Sequence, residues 1–142
     1  MNNSATISNT DDNNRSIEYT ITCSDATGQE EKFIFHQHTA PSSLCQQLDL
    51  SSHQAARQVS VLMQALVKAH HREVLQARAW SCVECNRPAT TIVHNPMSYL
   101  HLSKPQVYDF AIPCCANKTC DSNIQAHFNE IMSEMGVPKG TL

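Results

Sequence analysis

The chain is poor in the features that mark several large functional classes. Glycine occurs only 3 times in 142 residues. Glycine-rich phosphate loops and flexible glycine linkers therefore have little to be built from. Lys and Arg number 10 against 13 Asp and Glu, a formal net charge of −3. A dedicated nucleic-acid surface needs a dense basic face with interleaved aromatics, and here the basic residues are scattered. No window approaches the ~18 apolar residues of a membrane span. The stretch Met1–Asn14 lacks an apolar run and is poor in Arg, unlike a secretory signal or a mitochondrial presequence. These absences lead to the expectation of a soluble intracellular protein, cytoplasmic or nuclear.

Sulfur and imidazole are abundant instead, with Cys 7 and His 8. An odd cysteine count leaves at least one thiol unpaired within the chain. In a reducing compartment the set reads as thiols or metal ligands in preference to disulfides.

Hydropathy patterning divides the chain into four parts. Residues 1–15 are Asn, Ser, Thr and Asp with little apolar mass, the composition of a disordered tail. Residues 16–80 read as a β-hairpin followed by a long helix. Ile17 to Cys23 alternates apolar and polar, Asp25-Ala26-Thr27-Gly28 is turn chemistry, and Lys32 to His36 is the second strand. Pro41 to Gln47 suits a short helical turn. Ser51 and Gln54 form a capping box that opens a helix to about Ala79. Its stripe is Val59, Leu62, Met63, Leu66, His70, Val74 and Ala77, broadened by Val61, Ala65 and Val67. Such a helix, roughly 40 Å long, outruns a small core. It either breaks near His70-His71 or turns one end to a partner. That histidine doublet reads as surface, with a second metal site as the sharper alternative.

Residues 81–136 form the third part, and 137–142 a short tail. Pro88–Val93 and Gln106–Ile112 are strand-like, with Tyr108, Phe110 and Ile112 on one face and Val107, Asp109 and Ala111 on the other. Asn95-Pro96 and Lys104-Pro105 mark turns. A last helix runs from about Asp121 to Met135 with Ile124, Phe128, Ile131, Met132 and Met135 as its stripe, closed by Gly136 and Pro138.

The chemistry concentrates in the third part. Cys82-Val83-Glu84-Cys85 is a C-x-x-C pair, and Cys114-Cys115-Ala116-Asn117-Lys118-Thr119-Cys120 follows about thirty residues later. A C-x-x-C turn lets two sulfurs converge on one ion, and a second pair ending at a helix start completes a tetrahedron. The helix N-terminus favours thiolate there. Four thiolates on Zn²⁺ carry a net charge of −2, which Arg87 and Lys118 are placed to offset. Strand alternation carries the face of Tyr108, Phe110 and Ile112 on to Cys114, predicting that Cys114 enters the core and Cys115 turns to the metal. The expected ligands of one structural zinc are Cys82, Cys85, Cys115 and Cys120. Cys114, His94 or His101 in place of Cys115 stays open.

Knuckle, β-hairpin, and a ligand pair at a helix start resemble a treble-clef zinc finger over Cys82 to about Met135. The cysteine pair before the last helix, with His127 seven residues after Cys120, is also similar to the second half of MYND-type fingers. Those fingers use a middle Cys pair and a further Cys that this sequence lacks, and Ile131 takes the latter's turn. The resemblance implies a protein-interaction role.

Other patterns point elsewhere. Trp80-Ser81-Cys82-Val83-Glu84-Cys85 is similar to a thioredoxin active site, but Ser81 separates Trp from Cys, and the pair follows a helix instead of opening one. A zinc deaminase needs H-x-E and then P-C-x-x-C; Pro113-Cys114 starts the second motif correctly, but the next cysteine spacing is wrong, with Asn117 where the second Cys belongs. His36, His38 and Cys45 hold the elements of a Cys/His nucleophile without an orienting third group. The segment His94 to His101, dense in Met, Tyr and Leu, is a candidate binding loop. The fold class expected is α+β: an N-terminal β-hairpin and long helix, then a zinc-stapled β-hairpin and C-terminal helix. The function expected is a non-catalytic zinc-binding interaction module with a protein partner or a second copy, without nucleic acid or membrane. A thiol/redox enzyme using Cys82 and Cys85 is the alternative, and a nucleic-acid-binding zinc finger the weaker one.

Overall fold

The computed structural model describes residues 14–46 and 53–134. Ser51 of the expected capping box, most of the 1–15 segment, and Met135, Gly136 and Pro138 lie outside them. Among the described residues the chain is mixed α and β, with one five-stranded sheet and three helices. In chain order they are β1 (Asn14–Ser24), β2 (Glu30–Pro41), α1 (Ser42–Cys45), α2 (His53–Gln76), β3 (Thr91–Val93), β4 (Pro96–Tyr99), β5 (Gln106–Cys114) and α3 (Lys118–Glu134).

β1 and β2 form the antiparallel hairpin expected from alternation, longer at both ends than the apolar pattern alone implies. Their turn is built on Asp25, whose carboxylate accepts from the backbone N–H groups of Thr27 and Gln29 and from the Thr27 hydroxyl. Gly28 supplies a φ of 88°, which a side chain would resist. The same carboxylate also accepts from the Ser81 N–H at 3.0 Å, tying the hairpin turn to the start of the cysteine-rich segment. Burial alone would raise the Asp25 pKa. The donors from Thr27, Ser81 and Gln29 outweigh it and hold the group below the usual carboxylate value.

The pairing slips once. Ile17 faces His38 but Tyr19 faces Phe35, so β2 carries one extra residue at His36–Gln37. β1 then pairs on its other edge with β5 in parallel, Glu18 opposite Gln106 through Cys23 opposite Ala111. Strands from either side of residues 80/81 thus share one sheet. β3 and β4 both run antiparallel to β5. The segment expected as a binding loop after His94 is largely strand β4, and its Met97 and Leu100 are buried.

The 24-residue helix α2 passes through His70-His71 without a break. Its buried line is narrower than the sequence stripe: Ala55, Met63, Leu66, His70 and Val74 are covered, while Val61 is 60% exposed. Trp80 caps its end, donating from Nε1 to the Val74 carbonyl at 2.8 Å. α2 shares the main core with Tyr19, Ile21 and Cys23 of β1 and Val107 and Ala111 of β5.

The face assignment of β5 requires correction. The side covered by the main core carries Val107, Asp109 and Ala111, whereas Tyr108 and Phe110 are 38% and 43% exposed. Alternation identified the two faces but not which one α2 would cover. Ile112 and Cys114, on the Tyr108 side, are covered instead by a second, smaller cluster. It contains Cys82, Cys115, Cys120 and Ile124, with Val83 and Val93 against it.

Candidate metal centre

The second cluster is built around a short turn. The Cys82 N–H donates to the Arg87 carbonyl at 2.6 Å and the Asn86 N–H to the Cys82 carbonyl at 2.9 Å. Asn86 adopts a φ of 64°, the left-handed conformation that Asn tolerates better than most residues. Flanking contacts, Ser81 opposite Pro88 and the Ala89 N–H on the Trp80 carbonyl at 2.9 Å, close the base of the turn. The geometry turns the Cys82 and Cys85 side chains to one side.

The other half comes from the end of β5 and the start of α3. Asn117 caps the helix through its side-chain oxygen, which accepts the Thr119 N–H at 2.8 Å. That cap fixes Cys120 in the first turn, with Asp121 beside it. The Val83 N–H reaches the Pro113 carbonyl at 3.1 Å and the Thr90 N–H the Cys114 carbonyl at 2.9 Å, so the knuckle and β5 are held in register by backbone bonds.

Together these elements bring the sulfurs of Cys82, Cys85, Cys115 and Cys120 within 4.8 Å of one another, three of the residues buried and Cys85 exposed. The Cys85 and Cys115 sulfurs are 3.6 Å apart. Four sulfurs around a tetrahedral ion at ~2.3 Å stand about 3.8 Å apart, so the constellation fits a metal with small adjustments. Four sulfur donors suit zinc or iron and do not suit the oxygen-seeking cations.

Electrostatics favour the charged form at one corner. Burial works against ionisation of Cys82, but the amides of Cys85, Cys115 and Glu84 point at its sulfur and bring its pKa down to about 6. Cys120 goes the opposite way, raised to about 12 by burial and then by the neighbouring sulfurs of Cys115 and Cys85. Such crowding is relieved when a cation displaces the protons. Arg87 meets the site through its backbone N–H, which serves Cys85, and the Arg87 and Lys118 residues are both exposed.

Cys114 is adjacent to this group but not one of the four. It is 1% exposed and its thiol donates to the Cys115 carbonyl at 3.1 Å. Burial, followed by the nearby Cys82 and Cys115 sulfurs, pushes it up to about 11. His94 is not near the sulfurs: its Nδ1 lies 2.7 Å from Asp109 Oδ2. His101 is exposed in the β4–β5 connection. His127 lines a shallow cleft of about 320 Å³ with Val83, Glu84, Ile124 and Glu130, beside the knuckle but outside the sulfur group. On α3, Ile124 of the expected stripe is buried; the side chains of Phe128, Ile131 and Met132 lie outside the described residues.

Cys45 and the two histidines proposed with it do not meet as a catalytic pair. Cys45 is buried, His36 reaches Glu18 at 3.7 Å, and His38 faces His70. The sequence reading also missed a buried polar network. Asp109, 1% exposed, accepts from the Tyr19 hydroxyl at 2.7 Å and the Asn95 N–H at 2.9 Å, and pairs with His94. The signal was an Asp between Val107 and Ala111, both of which face the core. His70, expected at the surface, is 4% exposed.

None of the described helices is long and apolar enough to cross a membrane. Comparisons of this chain with protein-family models, with curated proteins and with solved structures return no match.

Proposed function

We propose that the protein is a non-catalytic zinc-binding interaction module, an adaptor or subunit of a larger assembly, stapled by one structural zinc on Cys82, Cys85, Cys115 and Cys120. The convergence of four sulfurs from a knuckle and a helix start carries this reading. In this arrangement, which is treble-clef-like, the ion joins two segments about thirty residues apart whose shared apolar cluster is small. Structural zinc contributes on the order of 10 kcal/mol to such modules, comparable to the whole stability of a small domain. Seven cysteines free of disulfides fit a reducing, intracellular setting.

The interaction role is supported by the outer sheet face. Ile34, Thr20 and Tyr108 lie in one row across β2, β1 and β5, with Lys32, Thr22 and Phe110 in the next. Ile34, Tyr108 and Phe110 are all exposed. Tyr108 and Phe110 are neighbours on β5, with Ile34 across Thr20 on β2, and exposed apolar side chains gathered on one sheet face are the kind of surface that partner proteins cover.

A dithiol redox reading draws on the Cys82 sulfur, whose pKa of about 6 suits a nucleophile as well as a ligand. Metal analysis with thiol titration of the native protein separates the two. One zinc per chain, with the four ligand thiols slow to react, is expected. A zinc-free protein whose Cys82 and Cys85 cycle between dithiol and disulfide overturns the proposal.

A further inference from the structure

Helix α2 is fastened to the sheet by two consecutive histidines, each facing a second imidazole. His70 Nε2 lies 2.7 Å from His38 Nε2 in β2. His71 Nδ1 lies 2.9 Å from the Nε2 of His94, in the link between β3 and β4. Successive residues on a helix point about 100° apart, so the two pairs grip different parts of the sheet.

A bond between two ring nitrogens needs one hydrogen and one lone pair. Each pair therefore holds when neither ring or only one is charged. With both rings charged, N–H faces N–H across the same gap and the contact becomes repulsive. We propose that the two histidine pairs form a proton-operated latch, closed near neutral pH, which releases α2 from the sheet when acidification charges both rings of each pair.

The two rings of each pair have different surroundings. On α2, Glu73 Oε1 stands 3.3 Å from His70 Nδ1. From β5, Asp109 Oδ2 stands 2.7 Å from His94 Nδ1. From β1, the Tyr19 ring lies 6.0 Å from His70, while its hydroxyl donates to Asp109. From β2, Phe35 stacks on His70 with centroids 3.6 Å apart. One carboxylate thus backs His70 and another backs His94. Their partners His38 and His71 are held below the ordinary histidine value, by burial first and then by the charge of the paired ring.

The sign follows from linkage. In the released state His38 and His71 take up protons as pH falls below about 6.5, whereas in the latched state they resist. The stability contributed by the pairs is complete above that pH and is lost as pH drops through the lowered values. Each pair adds one proton to the released state, so the opening constant rises by up to about tenfold per pH unit for one pair and about a hundredfold for both. Release exposes the inner line of α2, including Met63, Leu66 and Val74.

Hydrogen exchange of the α2 amides in the full chain, corrected for intrinsic rates between pH 7.5 and 5.0, tests the latch. Protection in α2 should hold to about pH 6.5 and then fall along that slope, ahead of α3. The variants His38→Gln and His71→Asn place a non-titrating amide where Nε2 and Nδ1 now sit, and together they should flatten the slope. A flat wild-type profile, or an unchanged slope in the double variant, overturns the proposal. Acid loss of a metal would open the knuckle and α3 first and would persist in the double variant, which also counts against the latch. If the double variant does not fold, ¹⁵N imidazole spectra of the wild type decide. His38 and His71 must titrate together with the loss of α2 protection; titration at the ordinary value with α2 intact refutes the idea.

Discussion

Replacing Tyr19 with Phe isolates one bond in the main core. The Tyr19 residue is 0% exposed and its hydroxyl donates to Asp109 Oδ2 at 2.7 Å. Phe keeps the ring and its packing, so the change removes a single hydrogen bond to a buried carboxylate. Asp109 retains His94 and the Asn95 N–H but loses a donor that water cannot replace at 1% exposure. Bonds of this type are worth about 1.5–3 kcal/mol. For a domain of this size, at about 4 °C per kcal/mol, the melting temperature should fall by about 6–12 °C. Urea titration at pH 7.5 gives the free energy directly, with Tyr108→Phe as the control. Tyr108 is 38% exposed and faces away from the core, so its variant should stay within about 0.5 kcal/mol of wild type. A Tyr19→Phe loss no larger than the control would show that Asp109 does not depend on this hydroxyl, and the network would lose its place in the stability argument.

Other perturbations address the sulfur site and the buried titrating groups. Cys85→Ser should abolish stoichiometric zinc and sharply lower the melting temperature; unchanged metal content and melting would refute its place as a ligand. Cys114→Ala should cost about 1 kcal/mol and keep the metal, while Cys115→Ala should lose it; the reverse order in metal analysis would reassign the ligand. Stability should also fall on the alkaline side. Cys23 is pushed up to about 12 by burial and then by the charges of Asp25, Asp109 and Glu31, and Tyr19 is raised well beyond its ordinary range by burial and then Asp109. Both stay protonated in the fold while the unfolded chain ionises from about pH 8.5 for Cys and 10 for Tyr. The stabilisation is therefore complete below that range and is lost as pH rises; urea midpoints that stay level from pH 7.5 to 10.5 would contradict it.

Local chemistry was the part of this molecule legible in its residues. Knuckle and helix-start cysteines announce themselves by spacing, because the turn geometry that aims Cys82 and Cys85 is set within a few residues. The β1–β2 turn was legible for the same reason, through Asp25 and Gly28. Long-range choices were not. Alternation in β5 separates Val107, Asp109 and Ala111 from Tyr108 and Phe110, yet hydropathy favours the wrong face because Asp109 is polar and the two aromatics are not. Only its partners Tyr19, His94 and Asn95 make Asp109 a core residue, and they lie on other elements. His38 shows the same effect. By strict alternation it sits opposite in sense to Phe35, but the extra residue at His36–Gln37 brings both to the side of α2, where they meet His70.

The parallel seam between β1 and β5 has a consequence for how the polypeptide is made. β1 ends at Ser24 and β5 begins at Gln106. At roughly 5–20 residues per second, a ribosome takes about 4–16 s to deliver the second after the first. Throughout that interval the nascent hairpin presents a bare edge of unpaired backbone groups, open to illegitimate pairing with neighbouring chains. Slower elongation lengthens the exposure, so yield of native material should depend on translation speed and chaperone supply more than on final stability.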